Sequence, residues 1–203
     1  MLTRRNLLAS SLATLATAPA LAGPQPPPKK NWVVGTIPDT PFSIDLMDMN
    51  LVLPQFQRQV VRFTGAEPPG SLVVDPPARL LYWVQERGVA LRFGTAVGRE
   101  GAAWSGSAVV GRKAKWPTWT PTASMRQKNP ALPVQMPGGP ANPLGCRALY
   151  LYQNGIDTLY RIHGTNDPSS IGKNASSGCI RMFNECIFEL FAEVPVGTRV
   201  VVR

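Results

Sequence analysis

The chain has 203 residues, 44% hydrophobic and 16% charged, enough for one domain with a sizeable core and too apolar for a disordered segment. Its 21 Lys and Arg outweigh 12 Asp and Glu to give a formal charge of +9, while 21 prolines argue against a helical bundle. One histidine and three cysteines, with no C-x-x-C or H-x-x-x-H pair among them, leave no zinc-binding pattern, so no metal is expected.

The chain opens with an export pattern. Arg4 and Arg5 stand just ahead of an apolar run over residues 7–18, diluted by Ser10, Ser11, Thr14 and Thr17. Ala20, Leu21 and Ala22 then supply small residues for cleavage before Gly23. An arginine pair ahead of a weak apolar stretch resembles a twin-arginine signal over residues 1–22, which places the mature protein in the periplasm. The run falls short of the roughly 20 apolar residues that span a bilayer, so no stable membrane span is expected after cleavage. Losing Arg4 and Arg5 lowers the charge from +9 to +7. Outside the cytoplasm that basic surface meets the cell wall and anionic lipid instead of nucleic acid.

Residues 23–31 are a proline-rich spacer, and residues 32–70 an N-terminal extension whose first part, to residue 50, has no clear periodicity. Phe56, Val60, Val61 and Phe63 predict one strand. Three further strands are expected at 71–74, 79–85 and 89–97, divided by Asp75-Pro76-Pro77 and Glu86-Arg87-Gly88, which together indicate an antiparallel sheet. Residues 111–145 are rich in Pro and Gly, with Trp104, Trp116 and Trp119 in or near them. A loop of that length is usually a lid or a binding wall. Two strands, 147–152 and 158–162, flank the Asn154-Gly155 turn, and His163 closes the second. Asn184 caps a helix whose Ile187, Leu190, Phe191 and Val194 share one face; Pro195 and Gly197 stop it before a last strand at 199–202. The chain reads as mostly β, with one clear helix near its carboxyl end.

The chemistry lies between residues 162 and 182. His163 sits 16 residues ahead of Cys179, which follows Ser176, Ser177 and Gly178 in a turn of small residues. A thiol becomes a strong nucleophile when an imidazole takes its proton and a third group fixes the ring's tautomer. Small neighbours leave backbone N–H groups bare to meet a developing oxyanion. Arg181 adds a fixed positive charge two positions on. Cys146 and Cys186 lie outside this segment in apolar surroundings and read as buried free thiols.

The blocks H-G-T-N at 163–166 and S-S-G-C-I-R-M at 176–182, with SLVVDPPARLLYWV, GRKAKWPTWTP and VPVGTRVVV elsewhere, resemble the L,D-transpeptidase family, the YkuD-type catalytic domain. The resemblance covers residues 71–203 and implies a β-sandwich-like catalytic domain with a helix after the active cysteine. It implies Cys179 as nucleophile, His163 as proton donor and acceptor, and the Gly164 carbonyl as the group orienting His163. Gly178 and Cys179 match the oxyanion donors, and Arg181 a substrate-contact position. Ser177 replaces the histidine that many members carry before the Gly-Cys pair, and is expected to touch substrate. The implied reaction joins peptidoglycan stem peptides through a Cys179 thioester, with loss of terminal D-alanine and no cofactor. Water as acceptor would make it a carboxypeptidase, a protein lysine an anchoring enzyme. An inactive wall-binding module is the non-enzymatic alternative. Carbapenem-type β-lactams are expected to acylate Cys179.

Overall fold

The computed structural model describes residues 32–86, 88–98, 104–176 and 178–203; the export-signal and spacer expectations at 1–31, and Ser177, fall outside them. Strands β1 (Val33–Ile37) and β2 (Ile44–Met47) form an antiparallel hairpin in the stretch without periodicity. Only Ile44 and Met47 of this hairpin are buried, three positions apart, so no period-2 alternation marks it as a strand. Phe56 belongs to a 3-10 turn led by Pro54, so β3 is shorter than expected (Gln59–Arg62). It pairs with β6 (Val89–Gly94), which pairs with β5 (Leu80–Val84) and then β4 (Leu72–Asp75), all antiparallel as expected. The expected strand at 89–97 breaks after Gly94, and β7 (Val97–Gly98) pairs instead with β11 (Asn174–Ser176).

The largest departure is β8 (Gly106–Lys115), which claims the first five residues assigned to the loop at 111–145. Its cationic residues disguise it, although Arg112 and Lys113 each meet a partner. The Arg112 guanidinium lies 3.4 Å from the Tyr150 ring centroid, and Lys113 Nζ donates to the carbonyls of Phe191 and Val194. Strands β9 (Arg147–Gln153) and β10 (Ile156–His163) form the expected hairpin, with Asn154 and Gly155 both at positive φ (52° and 78°).

The sheet is mixed, not purely antiparallel. Its nine strands run β12-β10-β9-β8-β13-β4-β5-β6-β3, and β13 (Arg199–Val202) lies parallel to β4 while β12 (Ile180–Arg181) lies parallel to β10. Two-residue β12 is too short to be seen as a strand in sequence. Helix α2 (Asn184–Glu193) buries Cys186, Ile187 and Leu190 against the sheet. One core cluster joins strands across the sheet to α2, and a smaller one of Phe63, Val73, Val84 and Ala90 lies on the opposite face of β4. The architecture is the expected mostly-β, sandwich-like one. Burial of each leucine in such a core contributes about 1.5–3 kcal/mol.

Residues 32–70 are integral to this packing. Met47 N–H donates to Glu185 on α2, and Arg58 forms a two-bond ion pair with Glu189. Asp39 accepts from Trp116 Nε1 (2.9 Å) and pairs with Arg147 (2.9 Å) and Lys115 (2.7 Å). Burial alone would raise the Asp39 carboxyl, but the bonds from Arg147 and Lys115 hold it well below the usual carboxylate range. The Arg147 side chain is only 5% exposed, so Asp39→Ala strands a buried cation and should cost roughly 3 kcal/mol in urea unfolding. A folded carboxyl below its unfolded value stabilises fully above about pH 4 and progressively less below it. The gap between wild type and variant should therefore narrow in acid; a constant gap would refute the ion-pair account.

Candidate active site

Three elements meet at one cleft of about 390 Å³. The end of β10 supplies His163, the turn before β12 supplies Gly178 and Cys179, and β12 supplies Arg181. Parallel pairing sets His163 opposite Arg181 in register, and the Met182 amide donates to the His163 carbonyl (2.8 Å). Gly178 takes φ 128°, which L side chains rarely adopt. The chain thus turns sharply just ahead of Cys179.

His163 is buried, and its Nδ1 lies 2.6 Å from the Gly164 carbonyl oxygen. A carbonyl only accepts, so Nδ1 carries the proton and Nε2 keeps a lone pair. Burial, reinforced by the positive charge of Arg181, pushes the imidazole down to about 3, although the carbonyls of Gly164 and Leu144 pull the other way. Burial also raises the Cys179 thiol, against the amide of Arg161 and the charges of Arg161 and Arg181. The resting pair is therefore a thiol and a neutral imidazole, not a thiolate and an imidazolium.

Cys179 Sγ makes a long contact (3.9 Å) to the Leu159 carbonyl. Leu159 was not singled out in the sequence, and it is unusual. It is a non-glycine residue at φ 63° inside β10, where the register with β9 slips between Asp157 and Arg161. Asp157 holds this bulge by accepting from the Leu159 amide (2.8 Å) and binding Arg161 through two bonds (2.7 and 2.9 Å). Strained backbone of this kind concentrates at functional sites. The only advance signal was Asp157 itself, a short carboxylate able to cap a turn within a strand.

The long loop is the opposite wall of the cleft, in keeping with the expectation of a binding wall. Trp119, Thr122, Ser124, Met125, Pro143 and Leu144 face Leu159 and Tyr160 across it. Helix α1 (Ala123–Lys128), absent from the sequence reading, starts at Thr122, whose hydroxyl accepts from the Met125 amide. Buried Asn142 donates to the carbonyls of Pro117, Met136 and Pro137, which fixes the loop's path. Thr165 and Asn166 support the turn after His163, accepting from the Asp167 amide and donating to the Ala141 carbonyl. Cys146 and Cys186 are free, buried and away from the cleft lining, as the sequence suggests. Among the described residues no cluster of His, Cys, Asp and Glu could hold a metal ion.

Fold and cleft define a class: a β-rich protein that brings one thiol and one carbonyl-held imidazole to a shared, largely apolar cleft. Residues 69–202 match the family model YkuD, L,D-transpeptidase catalytic domain, and the chain belongs to that family. Two Escherichia coli K12 relatives are the probable L,D-transpeptidases YbiS, 40% identical over 137 residues, and ErfK/SrfK, 41% identical over 137 residues. Each alignment covers 64% of this chain but 43% of the relative, so the chain spans less than half the length of these proteins. Among solved structures, a Brucella melitensis protein described as a probable carnitine operon oxidoreductase, caia, is 45% identical. It matches over 77% of this chain and 99% of its own, with a TM-score of 0.51. An Enterococcus faecium L,D-transpeptidase shares the fold at 21% identity and a TM-score of 0.51, over 68% of this chain and 50% of its own.

Proposed function

We propose that this protein is an exported L,D-transpeptidase that acts on peptidoglycan stem peptides through a Cys179 acyl-enzyme. The observation that carries the reading is the His163 Nδ1–Gly164 carbonyl contact of 2.6 Å in a cleft that also holds Cys179. That bond leaves Nε2 as the nitrogen able to take the thiol proton.

Cys179 Sγ attacks the carbonyl carbon of the stem's third residue while His163 Nε2 accepts the thiol proton. The resulting oxyanion faces the amides of Gly178 and Cys179, and Arg181 supplies positive charge for it or for a stem carboxylate. Collapse breaks the C–N bond, His163 returns its proton to the leaving D-alanine amine, and a thioester remains. An acceptor amine then attacks the thioester, His163 takes its proton, and the thiol is released with that proton. The basic surface and the signal-like residues 1–22 suit a periplasmic protein that works against the polyanionic wall. Ser177, which in sequence stands where many members of the family carry a histidine, is proposed to give the substrate a hydrogen bond in its place.

Incubation with purified stem tetrapeptide fragments, followed by mass spectrometry, tests the proposal. Dimers that have lost one D-alanine are expected. Monomeric tripeptide alone would reassign the acceptor to water, and no turnover with any stem peptide would defeat the proposal.

A further inference from the structure

Asn184 reads in sequence as a helix cap, and the structure assigns it another task. Phe183 occupies the cap position of α2 and Asn184 is the helix's first residue, with its side chain directed away from the helix amides. Its Oδ1 accepts from the Thr165 amide (3.1 Å) and the Cys146 amide (3.2 Å), while Nδ2 donates to the Thr165 carbonyl (2.9 Å).

The Thr165 amide and the Gly164 carbonyl belong to one planar peptide unit and point to opposite sides of it. Asn184 holds the N–H side, and His163 Nδ1 meets the C=O side at 2.6 Å. Rotation of this unit would carry the carbonyl off the imidazole. The neighbouring chain is arranged around the amide. A Cβ on Gly164 or on Gly145 would run into Asn184 Oδ1, so both glycines leave room for it. Gly145 also stands at φ 64°, where a side chain is strained.

We infer that Asn184 is a positioning residue that fixes the His163 tautomer through the Gly164–Thr165 peptide unit. This rests on the reading of His163 as the base, yet it concerns a proton on a ring and can be tested without substrate. The chain's single histidine makes that direct. In full-length protein carrying ¹⁵N-labelled histidine, the wild type is expected to show one imidazole at neutral pH, protonated at Nδ1 and bare at Nε2. Asn184→Ala is expected to show both tautomers. Its rate of Cys179 acylation by a carbapenem should fall several-fold, in proportion to the fraction of rings that leave the Nδ1–H form, with the half-saturating concentration nearly unchanged, because only the base-competent tautomer reacts.

A folded Asn184→Ala protein that keeps the Nδ1–H tautomer would overturn the inference. Should that variant not fold, Asn184→Asp decides. Its carboxylate keeps the acceptor for the Thr165 amide and polarises the peptide, so the Nδ1 proton resonance is expected to move downfield. An unmoved resonance would equally overturn the role. Loss of transpeptidation in a wild-type protein with the expected tautomer would instead count against the proposed function and leave this inference standing.

Discussion

Cys179→Ala protein is expected to gain no mass on exposure to a carbapenem and to form no product from stem tetrapeptides, whereas the wild type is expected to gain a single adduct. The expected loss is on the order of 10⁶-fold, since removal of a nucleophile removes the covalent path entirely. The other two thiols cannot take over. Cys146 is fully buried, donates to the Asn184 carbonyl, and is pushed by burial up to about 12. Cys186 is also pushed up, by burial and then by Glu185 and Glu189. Both are inaccessible and protonated at neutral pH, when only the thiolate reacts. Cys179 is raised too, but it lines the cleft together with His163, the proposed base. Peptide mapping of the wild-type adduct should therefore find Cys179 alone. A second modified cysteine, or turnover by the alanine variant, would refute this assignment.

What was legible in the sequence was what is local. Cys179, its glycine neighbour and the only histidine lie within one short segment, and the H-G-T-N and S-G-C-I-R-M blocks around them point to a thiol–imidazole pair. The β9–β10 hairpin was legible for the same reason, because Asn154-Gly155 favours the positive φ that its turn needs. What escaped depends on partners far along the chain. β8 was missed whole, its second half taken for loop, because its run of cationic residues hides contacts with Tyr150 and the end of α2 that lie far along the chain. Asn184 looks like a cap at any helix start, and only the loops at Gly145 and Gly164 draw its amide elsewhere. The Leu159 bulge left no hydrophobic pattern, since a strand that slips register keeps its composition. Asp39 lies in a stretch without periodicity, yet it neutralises buried Arg147 more than a hundred residues away.

His163→Ala should slow acylation of Cys179 by about 10²- to 10⁴-fold, the usual weight of a general base, while leaving the thiol present. The pH dependence identifies the cause. With the folded imidazole held at about 3 by burial and then by Arg181, the wild-type acylation rate should show no acid limb near pH 6.5, because the ring is already neutral. A limb there would mean that the imidazole is accessible and protonated, and would contradict the neutral thiol–imidazole pair. The same shift governs stability. Between about pH 6.5 and 3 the unfolded chain binds a proton at this ring and the folded chain does not, so unfolding becomes easier as the pH falls. The slope approaches about 1.4 kcal/mol per pH unit well below pH 6.5. Glu185, raised by burial, contributes with the opposite sign, since its folded form holds a proton that the unfolded form has lost. His163→Ala removes the imidazole contribution and keeps that of Glu185. Urea midpoints should therefore fall with acid in the wild type through pH 6 to 5 and stay level or rise in the variant. Parallel pH profiles for the two proteins would show that His163 is not buried in its neutral form, and the base would have to be sought in a different protonation state.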